Sequence, residues 1–370
     1  MKREVKEGEI KGKRVKERVR ERGIERVKKM RIKGIILMMM IVMGCNSGGV
    51  ADPEKVFLSD IANLGKGFME VFVSFGDMIT GTLGIKADTK KEEIGKYFSD
   101  IEKAMQTTKV KLNEILEKNG QYEKVKKVVE EFISGTIDKI EAGAKEAALG
   151  ASGSESEVIG NAKKGEDAVA ANKDAVISLV KGMKAIVGVV LGDKKGNAGN
   201  NIITEEKKEI GKFFGKKDDE RAQEVEAAKA SASIGAVNGA DILQAIAKSK
   251  ENPNVNDTEG IEKATDAAEI AVAIAKDGKK EIKDAGAQKD TVIAAGIALR
   301  AMAKDGKFAA KKDEEKSAHA VNGAVASAVN KVLSTLVLGI RNRVDEGLKE
   351  INKVLGEIKQ GEGVASKVIK

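Results

Sequence analysis

Few residues in this chain have side chains suited to chemistry, and their spacing narrows the choice further. Cys45 is the only thiol and His319 the only imidazole in 370 residues. One cysteine makes no disulfide within its own chain, and one histidine builds no zinc site of the ordinary kind. Glycine meets lysine in LGKGF (64–68), IGKYF (94–98) and GKFFGKK (211–217). None has the G-x-x-x-x-G-K-[ST] spacing that cradles phosphates, so these read as helix ends or close helix contacts. KKDDE (216–220) and KKDEE (311–315) supply carboxylates. They sit in charged loops where water keeps such groups ordinary, so solvated surface is the expectation. His319 reads as helix surface or a hydrogen-bonded packing residue. No catalytic, cofactor or metal site is expected, and the chain does not read as an enzyme.

Cys45 is the exception, because its flanks match a known chemistry. Lys28, Lys29, Arg31 and Lys33 precede nine consecutive apolar residues, Ile35 to Met43, then Gly44 and Cys45. A positive cluster, a short apolar stretch and a small residue before the cut are the parts of a bacterial export signal. Nine residues are too few to span a bilayer as a helix, which takes about 20. Val42, Met43, Gly44 and Cys45 resemble the relaxed spirochaetal form of a lipobox. There the thiolate takes a thioether-linked diacylglycerol, cleavage falls between Gly44 and Cys45, and the freed amine is acylated. Val42 and Met43 depart from the strict form, which prefers leucine and then alanine or serine. A buried structural cysteine is the alternative, but the basic flank and the polar NSGG that follows do not suit a core element. MRIKGIILMMMIVMGC, starting at Met30, is a conventional signal by itself. Whether the 29 residues before it are a long leader or an overextended start is left open.

The net charge of +8 suggests nucleic acid until it is located. Residues 1–44 hold 15 Lys or Arg against 6 Asp or Glu, and the remainder is close to neutral, with 51 against 52. Once the signal segment is removed, the concentrated positive surface that nonspecific DNA or RNA binding requires is gone.

Beyond the signal, the pattern is helical. With no tryptophan, nine phenylalanines and two tyrosines, packing falls to Ala, Val, Ile and Leu among abundant Lys and Glu. Residues 45–55 read as a lipidated tether, and 56–370 as a single elongated all-α bundle with polar surface loops. Helices are expected from Val56 towards Gly84, over 122–133, over 175–191 as the central helix, and from Val325 to Ile358 in steps of three and four. Lys181 and Lys184 argue against a membrane span for 175–191. AIAKSK (245–250), AIAKDGKK (273–280) and AMAKDGKF (301–308) place Lys248, Lys276 and Lys304 28 residues apart. They read as helix ends, with Gly278 and Gly306 in the left-handed conformation. The connections 150–157, 192–201, 215–221, 249–260 and 304–317 are expected at the surface, where substitutions cost less than about 0.5 kcal/mol.

GCNSGGV, AIVGVVLG, KKEIGKFFG, IALRAMAKDGKFA and AVNGAVASAVNKVLSTLVLGIRNRVDEGLK resemble the variable large proteins of relapsing-fever Borrelia, from about Cys45 to the C-terminus. The extended leader departs from the family pattern. The resemblance implies an outer-surface antigen anchored in the cell outer membrane by acylated Cys45. Host antibodies would be its partners, and switching between silent and expressed copies would evade them. It also implies an elongated helical fold like that of the Lyme-disease variable surface lipoprotein, with termini near the membrane and variable loops away from it. An adhesin is the alternative, binding a host glycosaminoglycan or serum protein through Lys194, Lys195, Lys216, Lys217, Lys311 and Lys312. The sequence leaves the oligomeric state open.

Overall fold

A computed structural model describes residues 53–358, apart from 79–83, 154–156, 193, 205, 217–219 and 313–314. The chain divides into two compact units, Met1–Leu64 and Gly65–Lys370. Of the first, only residues 53–64, the opening turns of helix α1 (Pro53–Met78), are described. This helix begins three residues before Val56 because proline fits the first helical turn, where its missing N–H costs nothing.

The second unit continues through α2 (Lys91–Asn119), α3 (Glu123–Phe132), a π-helical turn (Ile133–Ile137), α4 (Asp138–Gly150) and α5 (Lys173–Val190). A 3-10 segment (Lys208–Phe214) leads to α6 (Glu224–Ala236) and α7 (Gly239–Ala247). A second 3-10 turn (Gly260–Lys263) precedes α8 (Ala267–Ala271), α9 (Asp290–Met302) and α10 (Glu315–Glu357). The only strands among the described residues are β1 (Lys163–Lys164) and β2 (Ala309–Ala310), a two-residue parallel pair. The fold is an all-α bundle.

The periodic stretches behave as their spacing requires. Tyr122, Val125, Val129, Phe132 and Ile133 are buried, while Glu123, Lys124 and Lys127 face water. On α10 the apolar stripe from Val325 through Ile351 to Leu355 is buried, with Val354 and Ile358 half-buried. At 43 residues α10 is about 65 Å long and starts ten residues earlier than the stripe. It is apolar enough by composition to cross a membrane, but its stripe is occupied by α3, α5, α6, α7 and α9.

The most enclosed helix is α9, not the 175–191 helix. α5 buries Val176, Leu179, Val180, Met183, Ile186 and Val187 but exposes Lys181 and Lys184. In α9 every residue from Ile293 to Met302 is buried. Its sequence IAAGIALRAM has one charge and several small residues, so neighbours approach from all sides. α7, α8, α6 and α10 pack around it.

Small residues also set the closest helix pair, α4 against α5. A β-carbon on Gly150 would lie 2.3 Å from the carbonyl oxygen of Ala175, so the two backbones touch there. Gly95 of IGKYF meets the Ala151 carbonyl at 3.0 Å in the same sense, and Gly211 meets that of Lys280 at 2.4 Å. Those motif glycines mark close contacts, as does Gly67 inside α1, where a β-carbon would lie 3.3 Å from Ile115 Cδ1; Gly65, also inside α1, has nothing near and is not at a helix end.

The repeat and the loops need correction. Gly278 is left-handed, with φ +74°, but at the third copy Asp305 takes the left-handed conformation, with φ 67°, instead of Gly306. Gly306 is required for space: a β-carbon there would lie 2.1 Å from the Arg300 carbonyl oxygen. The second copy follows only the five-residue α8, which ends at Ala271, before the copy begins. Loop 304–317 is interior in part: Gly306, Phe308, Ala309, Ala310 and Ser317 are buried, while Lys304, Asp305, Lys312, Glu315 and Lys316 are exposed. Pro253 and Gly260 are buried within 249–260. Composition misleads here because backbone carbonyls and amides in these loops find partners inside the bundle, which removes the need for water.

Candidate functional site

Cys45, Gly44 and the signal segment lie outside the described residues, as does the alternative start at Met30. Among the described residues no group of three or more His, Cys, Asp or Glu could hold a metal. His319 is exposed in the second turn of α10. Glu220 of KKDDE is buried, contrary to the solvated reading, and accepts the Gly278 amide. Glu315 of KKDEE is exposed, and the other acidic residues of the two runs lie outside the described set.

The loops are organised by buried side chains that sequence reasoning passed over. Arg300, with no exposed surface, is the largest fully buried side chain. Among the described residues no carboxylate pairs with it in the usual fork geometry. Its Nη1 donates to the carbonyls of Ile270 (3.4 Å), Ala271 (3.3 Å) and Ala273 (2.9 Å). Nη2 donates to Val169 O (2.6 Å) and Nε to Lys307 O (3.1 Å). The guanidinium lies 4.8 Å from the centre of the Phe214 ring and 6.0 Å from that of Phe308, two rings that pack edge-wise and tilted with Phe213. Burial lowers its pKa to about 9.

Lys91, in the first turn of α2, is also fully buried, and its Nζ donates to Ala303 O (2.6 Å) and Gly306 O (2.7 Å). Burial pushes it down to about 8, with Glu157 at 3.8 Å pulling it part of the way back. Lys331 of α10 donates to Ile234 O (2.6 Å), Gly235 O (3.2 Å) and Val237 O (2.7 Å). Together these cations cover the carboxyl ends of three helices: Arg300 that of α8, Lys91 that of α9, and Lys331 that of α6. Each supplies donors to orphan carbonyls and positive charge at the negative end of the helix dipole.

Apart from 249–260, the loops tied to α9 gather at its two ends, and the helix is about 20 Å long over its 13 residues. At its carboxyl end Arg300 gathers 163–172, 270–273 and 304–310. The Lys311 amide donates to Ala222 O and the Gly165 amide to Ala310 O, which draws 215–222 into the same group. Exposed Lys216 and Lys312 and half-buried Lys311 lie here. At its amino end Asp290 and Thr291 hold the loop carrying exposed Lys194 and Lys195. Lys217 lies outside the described residues. Among the described residues, the candidate lysines are therefore divided between loops held at the two ends of α9.

A recess of about 380 Å³ lies over loop 249–260, lined by Lys250, Asn254, Asn256, Lys263, Thr265 and Glu269 among others. Glu269 is the organising residue. It accepts from Lys250 Nζ (2.7 Å), the Thr265 amide (3.0 Å) and the Thr265 hydroxyl (2.7 Å). Burial pulls its pKa upward, and these donors overcome that and leave it lowered. All of its hydrogen bonds are spent on closing the loop, which is a structural use.

With the helices and their loops in place, the pattern describing Borrelia lipoproteins matches residues 68–355, almost the whole second unit. The chain belongs to the Borrelia lipoprotein family. Among these lipoproteins it is 59% identical to variable large protein 4 of Borrelia hermsii over 346 residues, covering 89% of this chain and 94% of that protein. It is also 59% identical to variable large protein 17 of the same organism over 311 residues, covering 83% and 87%. It is thus a member of the variable large proteins. A solved relative is the Lyme disease variable surface antigen VlsE of Borrelia burgdorferi. VlsE superposes with a TM-score of 0.71 at 34% identity, covering 81% of this chain and 98% of that one. In this lipoprotein the lone arginine within IAAGIALRAM was the available signal for Arg300, since a single cation in an apolar run must find partners inside.

Proposed function

We propose that this chain is a lipid-anchored variable surface antigen, held on the outer membrane by acylated Cys45, whose exchangeable loops evade host antibody. The observation that carries the reading is the 59% identity to variable large proteins across most of both chains, supported by likeness to a protein named as a variable surface antigen. The sequence around Cys45 supports the anchor. Several acyl chains on one residue, at ~0.8 kcal/mol per buried CH2, make a durable attachment where a single chain does not. The mechanism is physical and involves no turnover of a substrate. A packed helical bundle keeps its shape, the loops present side chains to antibodies, and the lipid keeps the assembly at the cell surface.

The test pairs mass spectrometry of the mature N-terminus with protease treatment of intact cells. The expected result is an acylated Cys45 at the N-terminus and loss of the protein on shaving. An unmodified Cys45, or full protection from protease while the membrane is intact, overturns the reading.

A further inference from the structure

The described residues of loop 192–203 are held largely through their main chain. Gln244 Nε2 donates to the carbonyls of Gly192 (2.6 Å) and Lys195 (3.1 Å). Asp241 accepts the amide of Asn197 at 2.7 Å. The Thr291 hydroxyl donates to Ala198 O at 2.6 Å and Asn200 O at 3.3 Å. One oxygen of Asp290 accepts the amides of Ile202 (2.6 Å) and Ile203 (2.8 Å), and the other accepts from Lys207 Nζ at 2.8 Å, so its buried charge is compensated. All four holders are buried, Asp241 and Gln244 on α7 and Asp290 and Thr291 in the first turn of α9.

The side chains of the same loop are elsewhere. Lys194, Lys195 and Ile202 are exposed, as is Thr204 just beyond the loop. Four positions are exceptions. Gly196 has φ +87°, and a β-carbon on it would lie 2.5 Å from Ala240 O. The Asn200 and Asn201 side chains bond to Asp241 and Lys207, and the Asn197 side chain donates to Asn200 Oδ1 (2.7 Å) and accepts the Gly199 amide (2.9 Å).

We infer that Asp241, Gln244, Asp290 and Thr291 form a clamp that sets the course of loop 192–203 through its amides and carbonyls, leaving Lys194, Lys195, Ile202 and Thr204 open to exchange. Every residue except proline carries the same amide and carbonyl, so a clamp on the main chain reads shape without reading sequence. Conformation and surface chemistry are thereby uncoupled, which is what a surface that changes its side chains while keeping its fold requires. The use of the clamp in antigenic variation rests on the reading above; the clamp itself is tested without reference to surface display.

The experiment is amide hydrogen exchange on the full chain. One variant carries Lys194→Glu, Lys195→Glu, Ile202→Thr and Thr204→Ala together. A second carries Gln244→Met, which keeps length and removes the donor; a third carries Asp241→Asn and reports on the clamp if the second does not fold. The quadruple variant is expected to leave exchange of the Asn197, Ile202 and Ile203 amides within about threefold of the parent. The clamp variants are expected to speed exchange across 192–200 by roughly tenfold or more, with α5 amides unchanged, since buried hydrogen bonds to such groups govern local opening. Tenfold faster exchange in the quadruple variant, or parental exchange in the clamp variants, overturns the inference.

Discussion

Gly143 of α4 and Gly182 of α5 meet backbone to backbone. A β-carbon on Gly143 would lie 2.7 Å from the Gly182 carbonyl oxygen, and one on Gly182 would lie 2.4 Å from that of Gly143. Neither neighbour is a flexible side chain, so nothing can give way except the helices themselves. Gly182→Val is therefore expected to cost about 3 kcal/mol or more. Gly188 lies on the exposed side of the same helix with nothing near its missing β-carbon. Gly188→Ala is expected to add about 0.5–1 kcal/mol through helix propensity. Urea unfolding followed by circular dichroism checks both, and opposite signs on one helix separate packing from propensity.

Arg300 is expected to matter more than any surface charge. Its depressed pKa says that its own charge is uncomfortable in the interior. Its removal, however, deletes five hydrogen bonds from a charged donor: the Ala273 carbonyl loses its donor, while those of Ile270, Ala271, Val169 and Lys307 keep only a backbone amide, and a bond to a charged group contributes about 1.5–3 kcal/mol. The second effect outweighs the first, so Arg300→Met is expected to lose at least about 3 kcal/mol. Arg300→Lys should lose less, because one ammonium still reaches some of the carbonyls. Denaturant midpoints of the two variants give the comparison, and a Met variant as stable as the parent contradicts the argument.

Wherever apolar spacing alone decides a helix, the sequence was readable. The stripe from Val325 to Leu355 and the face of Val125, Val129 and Phe132 are legible because a 3.6-residue period has one structural meaning. The family was also legible, in long ordered motifs. Loop burial was not, because it depends on partners distant in sequence. Phe308 is buried because Phe213, Phe214 and Arg300 surround it, and the bond between Asn161 and the Phe308 amide spans 147 residues. Glu220 looked solvated beside two lysines, yet its partner is the Gly278 amide, 58 residues away. Local charge says how a segment dissolves, while long-range hydrogen bonding decides whether it has to.

The division of the loop lysines between the two ends of α9 bears on the adhesin alternative. A sulfated polysaccharide needs several cations within reach of one another at physiological salt, where the Debye length is about 8 Å. Lys194 and Lys195 sit on a loop held at the amino end of α9, Lys216 and Lys312 on loops held at its carboxyl end, and α9 itself is about 20 Å long. Residues 46–370 are expected to pass through a heparin column at physiological salt without retention. Retention abolished by charge reversal at Lys216 and Lys312 alone would restore the adhesin reading.

Replacing Cys45 by serine keeps size and polarity but removes the sulfur that a thioether requires. The Cys45→Ser chain is expected to lack acyl groups and to shift from the detergent phase to the aqueous phase on temperature-driven phase separation. The helical bundle is expected to unfold at the parental temperature. A serine variant that still partitions with detergent shows that another segment holds the membrane.

The folded state depresses Lys91 to about 8 from its ordinary 10.5. At neutral pH the amine is protonated in both folded and unfolded chains, and the burial cost is fully present. Between pH 8 and 10.5 the folded chain binds fewer protons than the unfolded one, so this residue's contribution becomes more favourable as pH rises. Across that window the gain is on the order of 3 kcal/mol. Exposed lysines with raised values, such as Lys208 and Lys279, act in the opposite direction at higher pH, because their ion pairs are lost as they deprotonate. Their effect is common to parent and variant. The difference in unfolding free energy between the parent and Lys91→Met should therefore be flat below pH 8 and rise in the parent's favour from pH 8 to 10.5. A flat difference across that range would mean that Lys91 keeps its proton in the folded bundle as readily as in water.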